Sequence, residues 1–301
     1  MEHSHTRVIA PVPSKSLPQL LRRHPLFFYF LIAYSITWGF GLLFIVLLHL
    51  PPNLLVVLAL IAGPTVSAFI MTAVTEGKAG MGRLLRRYVL WRVGLPWYLL
   101  VLVGVPALLL LSILVLPGGM ATVRHLVLIY PVGYILAFFT GGALFEEPGW
   151  RGFALPRLQQ RFGPLVGTLI LGALWGPWHL PMFLVPGFNG AGTDFVGISI
   201  PFVAFVIGTT AMAVIFTWVF NNTRGSLLLA MLLHASLDAA TPSFANPLVF
   251  LMLYVPLVIA ALLIIGATRG RLSYKRYQRE VVLPAPEAVK EQEPVVPSKS
   301  A

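Results

Sequence analysis

Hydrophobic positions in this chain fall in long unbroken runs, not in the alternating or three-and-four spacing of amphipathic soluble elements. A helix of about 20 apolar residues is what crosses a bilayer core roughly 30 Å thick, whereas a closed β-barrel shows short alternating segments. The pattern predicts spans over about 26–48, 54–74, 95–116, 165–184, 201–220, 226–240 and 247–265. A further span starts near Leu126 and includes Glu146 and Glu147; carried on to Arg157 and Arg161, it turns at Gly163-Pro164. Breaks between runs are rich in proline, glycine or polar residues: Pro51-Pro52, Pro117-Gly118-Gly119, the Gly-rich stretch 185–199, and Asn221-Asn222-Thr223-Arg224. The expected fold is all-α: a polytopic membrane protein, a bundle of about eight transmembrane helices.

Composition sharpens this picture. Hydrophobic residues make up 57% of the 301 positions and charged ones only 10%, against about 45–50% and 25% in soluble domains. The net charge of +11 comes from 21 basic and 10 acidic residues. Its distribution matters more than its size. Lys15, Arg22, Arg23, the group Lys78, Arg83, Arg86, Arg87 and Arg92, then Arg224 and the tail residues Arg269 to Arg279, all fall on one side of an eight-span topology. The other side holds Arg124 and little else. The positive-inside rule therefore places both termini in the cytoplasm and removes the need for a nucleic-acid partner. Part of the basic 78–92 stretch is expected to form an interfacial helix, with Trp91 and Trp97 at headgroup level. Residues 1–24 read as a flexible cytoplasmic arm, 25–268 as the transmembrane domain, and 269–301 as a basic, then disordered, cytoplasmic tail. The first apolar run is too long for a signal-peptide core and should remain as a span. With no cysteine, disulfides and thiolate chemistry drop out.

The candidate chemistry lies in ionisable groups inside apolar sequence. A carboxylate in hydrocarbon costs roughly 2.5–3.5 kcal/mol on insertion scales, so Glu146 and Glu147 need partners or water. Arg151 lies four residues after Glu147, within reach on one helix face. Glu146 points about 100° away around the helix and is expected to lack a local partner. Pro148 removes a helical hydrogen bond beside the acids and should kink the helix. His179 follows Trp175-Gly176-Pro177-Trp178, and His234 and Asp238 share a face of the seventh span. A carboxylate with two imidazoles can hydrolyse an amide: one base takes a proton from water while donors hold the carbonyl oxygen. Glu146, His179, His234 and Asp238 could equally hold a divalent metal such as zinc. An intramembrane hydrolase, a proton- or ion-coupled transporter and a non-enzymatic membrane scaffold all remain open from spacing alone. Two-fold repeats of broken helices, the mark of many transporters, are not evident. Glycines at 163, 167, 172 and 176 allow close helix approach, either for packing in general or to position a site.

Three segments together carry a family resemblance. Glu146-Glu147-Pro148-Gly149-Trp150-Arg151 resembles the Glu-Glu-x-x-x-Arg motif of the CPBP intramembrane proteases, the group of type II CAAX prenyl endopeptidases and Abi-like proteins. Trp175 to His179 is similar to the second motif, and His234-Ala235-Ser236-Leu237-Asp238 to the third, over a core of about 125–240. The resemblance implies an intramembrane endopeptidase acting on a membrane-associated, prenylated or otherwise lipidated peptide or protein. It implies Glu146 as the base that activates water, His179 as its assistant, and His234 with Asp238 at the oxyanion. Asp238 stands where an asparagine is common, and a carboxylate cannot donate a hydrogen bond unless protonated; orienting His234 or binding metal are its other expected roles. Glu147 and Arg151 become a supporting pair and Trp175 the motif aromatic. The family is described both as metal-dependent and as glutamate-dependent, which leaves the cofactor open. Water access to Glu146 suggests a cavity open to the cytoplasm.

Overall fold

The computed structural model describes residues 16–51, 53–185, 192–241 and 247–282. The expected arm over 1–15 and the end of the tail over 283–301 lie outside the described residues. Among the described residues every regular element is helical. We label them α1 (Leu17–Arg23), α2 (Pro25–Leu47), α3 (Leu54–Ile61), α4 (Gly63–Tyr88), α5 (Leu95–Leu114), α6 (Gly119–Thr140), α7 (142–162), α8 (Pro164–Trp178), α9 (Leu180–Phe183), α10 (Phe195–Asn222), α11 (Leu227–Ala240), α12 (Pro247–Thr268) and α13 (Tyr274–Tyr277).

Local chemistry sets several of these boundaries. Proline occupies the first turn of α2, α4 and α8, where its missing N–H costs nothing. Side chains of Asn53, Asp194 and Ser226 accept from the backbone N–H of Val56, Gly197 and Leu229, capping α3, α10 and α11. Gly163 turns the chain between α7 and α8 at φ 80°, a conformation that favours glycine.

Among the described residues four helical stretches are long and apolar enough to cross a membrane: Pro25–Leu47, Leu95–Leu114, Gly119–Phe162 and Phe195–Asn222. A fifth is added if α3 and α4, bent by 42°, count as one broken span. The protein is thus an all-α, multi-pass membrane bundle. The expected spans at 165–184 and 226–240 appear as the interrupted α8 with α9 and the shorter α11, and that at 247–265 falls on α12.

Two expectations need correcting. The helical part of the basic 78–92 stretch continues α4 instead of standing apart: the helix resumes after a break at Gly77 (φ 61°) and carries Lys78 to Arg87 as far as Tyr88. The glutamate-bearing span begins at Gly119 rather than near Leu126, and it is not continuous. Its 44 residues would stretch about 66 Å as one helix, roughly twice the hydrocarbon thickness. The backbone instead becomes extended at Gly141 (φ −94°, ψ −168°), ending α6 and starting α7 just before the acids.

Side chains of α6 point mostly outward; only Gly119 and Leu126 are buried there. In lipid such exposed apolar positions are satisfied rather than costly. The core gathers around α7, α8, α10 and α11, where Trp150, Phe153, Trp178, Phe220 and Leu227 are sealed from the surface. Glycines let these helices close up. A Cβ at Gly172 would overlap Thr210, and one at Gly176 would overlap Thr209 and Val206, so α8 lies directly against the α10 backbone.

Candidate active site

Pro148 shapes α7. It cannot donate a helical hydrogen bond, and the helix widens to π geometry over Pro148–Ala154, immediately after the acids. Thr65 of α4 donates to the Phe145 carbonyl at 2.6 Å, tying the start of the acidic turn to a neighbouring helix.

The two glutamates then face different partners. Glu147 Oε1 accepts from Arg151 at 2.8 Å and from His234 Nδ1 at 2.8 Å. Both Glu147 and Arg151 are fully buried. The Arg151 guanidinium lies between two rings, 4.2 Å from the Trp175 centroid and 4.0 Å from that of Phe216. These π faces compensate for nitrogens Nε and Nη2, which have no hydrogen-bond partner.

Glu146 does not lack a local partner, contrary to the sequence expectation. Trp150, one turn further on, donates its indole N–H to Oε2 at 3.2 Å, and Trp175 of α8 donates to the same oxygen at 2.7 Å. His179 Nε2 lies 3.9 Å from that oxygen. The other oxygen, Oε1, and His234 Nε2 both flank Gly142, where a Cβ would overlap them together. Gly142 thereby keeps open a gap that a single water could bridge.

Hydrogen bonds also determine how the rings point. His179 Nδ1 sits 2.9 Å from the Trp175 carbonyl, which can only accept, so Nδ1 carries the proton. The Glu147 carboxylate imposes the same tautomer on His234. Nε2 of each ring is thereby left to the cavity, as a lone pair on the neutral ring or an N–H on the imidazolium. Asp238 Oδ2 is 3.7 Å from His234 Nε2, beyond hydrogen-bond range. The hydrogen bond that orients His234 is the one made to Glu147, with Asp238 in ion-pair range of the opposite ring nitrogen. By donor type, a carboxylate and two Nε2 lone pairs backed by carbonyl and carboxylate suit a divalent cation. Among the described residues, though, no three such side chains are gathered at metal-binding spacing.

These groups line a cavity of about 560 Å³, otherwise walled by apolar side chains such as Leu60, Met182, Phe205, Leu237 and Leu257. Sequence reading missed Trp150, Gly142 and Phe216 as parts of this site. The four-residue step from Glu146 to Trp150 was a usable signal; nothing in the sequence around Phe216 marks it.

Residues 128–240 match the family described as type II CAAX prenyl endopeptidase Rce1-like. All three polar motifs lie inside that segment. Among characterised proteins, the CAAX prenyl protease 2 of Methanococcus maripaludis is 31% identical over 142 residues, covering 43% of this chain and 49% of that protein. The chain therefore spans about half the length of the relative it matches.

Proposed function

We propose that the protein is an intramembrane endopeptidase that hydrolyses a peptide bond in a membrane-associated or lipidated substrate. The observation that carries this reading is a nearly sealed Glu146 carboxylate at the base of an apolar cavity, with His179 and His234 turned toward it. Glu146 takes a proton from water, the resulting hydroxide attacks the carbonyl carbon, and the proton passes to the departing amine. His179 holds the water opposite Trp175. In its imidazolium form, with charge offset by Glu147, His234 donates from Nε2 to the oxyanion. Asp238 adds a polar group at the same edge. The name of the archaeal relative points to a prenylated carboxy-terminal peptide as one substrate class.

Were these side chains to draw together, a divalent cation such as zinc would be held by Glu146, His179, His234 and Asp238. Such an ion would supply Lewis-acid polarisation of the carbonyl. We further infer eight membrane crossings, formed when α3 with α4, α6 with α7, and α8 with α9 each count as one broken span, with both termini in the cytoplasm.

Cleavage of a panel of prenylated and unprenylated membrane peptides by the purified protein tests the hydrolase reading. Glu146→Gln should lower turnover at least about 100-fold, the scale of lost general-base catalysis, while leaving detergent-solubilised yield unchanged. Full activity in that variant would remove Glu146 from the base role. Metal analysis and chelator sensitivity of the wild type then decide whether a cation takes part.

A further inference from the structure

The bundle has two chemically distinct ends, and pairs of residues across helices define them. One end joins Arg87 of α4 to the Gly152 carbonyl and Tyr277, Gln159 to Asn221, Asn221 to the Leu272 carbonyl, and Ser226 to the Leu90 carbonyl. The other joins Thr37 to the Leu60 carbonyl and Trp38 to the Trp178 carbonyl, with Ile113, Leu126 and Leu253 in one cluster. Arg22, Arg86, Arg92, Arg161, Arg224, Arg271 and Lys275 all belong to the first end. Among the described residues Arg124 is the one Arg or Lys at the second. The positive-inside rule assigns the first end to the cytoplasm.

The catalytic cavity lies in the second half. Its walls include Val57, Leu109 and Leu253 near the far ends of their helices, and Val185 and Thr241 just beyond α9 and α11. The cavity-lining side chains of α11 open toward that end. Leu227 and Leu229 at its start are sealed, the His234 side chain is 9% exposed, and Asp238 is 40% exposed. Between the cavity and the basic end lie Glu147, Arg151, Trp150, Phe153 and Phe220, all fully buried. A separate cavity of about 510 Å³ at the basic end, lined by residues including Glu76, Arg87, Gln160 and Tyr277, shares no wall with the first. Sequence reasoning expects termini and pocket to face the same compartment, whereas the filled, cross-tied basic half separates the pocket from the basic end.

We propose that the catalytic pocket is loaded from the non-cytoplasmic side, and that its substrate is an apolar peptide stretch presented at the non-cytoplasmic leaflet. This rests on the hydrolase reading for what happens in the pocket, but not for which way the pocket faces. Exported lipidated peptides and non-cytoplasmic ends of membrane helices have the required chemistry. A segment held at the cytoplasmic leaflet does not reach Glu146 past Arg151 and its rings.

The cysteine-free chain permits a direct test. Val185→Cys and Thr241→Cys should react with a membrane-impermeant maleimide in intact cells, and Gln160→Cys only after permeabilisation. The reverse pattern overturns the proposal. A fusion after Ala301 covers variants that fold poorly or resist labelling: green fluorescence there is expected, and active alkaline phosphatase there overturns the proposal. An impermeant apolar peptide should be cleaved at least about 10-fold faster by right-side-out than by inverted vesicles, and faster cleavage by inverted vesicles contradicts the assignment. Neither labelling nor the fusions depend on turnover. Absence of any Glu146-dependent cleavage with the expected labelling would sink the hydrolase reading alone.

Discussion

The two halves of this bundle use polar groups in opposite ways. At the basic end, buried polar atoms satisfy one another: the Gln159 and Asn221 amides exchange hydrogen bonds, and Asn221 also reaches the Leu272 carbonyl. In the pocket half, Glu146, His179 and His234 line the cavity, and each Nε2 lies 3.7–3.9 Å from a carboxylate oxygen, outside hydrogen-bond range. A polar group that completes its bonds inside the protein stabilises the fold, whereas one left with free capacity can handle water or substrate. The difference separates anchor from site more clearly than residue type does, since both halves hold buried polar side chains.

The sharpest way to break the comparison is at the boundary between the halves. Arg151→Ala removes the guanidinium from between Trp175 and Phe216 and leaves Glu147 buried with His234 alone. Breaking a buried pair costs about 3–5 kcal/mol, so thermal unfolding in detergent should shift to markedly lower temperature and activity should vanish with it. An unchanged melting profile would contradict the structural role assigned to that pair.

A smaller effect should separate chemistry from stability. Gly142→Ala places a methyl against Glu146 Oε1 and His234 Nε2. Turnover should fall about 10- to 100-fold, the scale of losses from a misplaced reacting group, with little change in melting temperature. Equal losses in both would make Gly142 a packing residue only.

The gentlest test lies at the basic end. Asn221→Ala deprives Gln159 and the Leu272 carbonyl of a partner, a loss of about 1–3 kcal/mol. Per-molecule cleavage should stay near wild type at temperatures where the variant is folded. A selective drop in turnover would show that the two halves are coupled.

The all-α membrane class was legible because apolar runs have few other physical meanings. The Glu147–Arg151 pair was legible because a four-residue step on a helix forces proximity. Other features depended on contacts between distant segments. Trp175 was visible as a motif aromatic, yet its hydrogen bond to Glu146 requires α8 to pack beside α7. The direction of the pocket was hidden for a related reason. Charges in the connections report which end faces the cytoplasm, but Trp150, Phe153 and Phe220, which close that end, look like any other apolar positions in a span. The break at Gly141 was masked by neighbouring small residues that read simply as close packing.

The π-helical stretch over Pro148–Ala154 gives α7 a phase offset between the acids and everything that follows. Deleting Gly149 would be a change of register more than the loss of a residue. It would turn Arg157 and Gln159 about 100° around the helix axis, away from Glu76 and Asn221, while Glu146 and Glu147 kept their place in the chain. Sequence comparisons that close this gap with a one-residue shift would therefore pair the correct acids with the wrong downstream face.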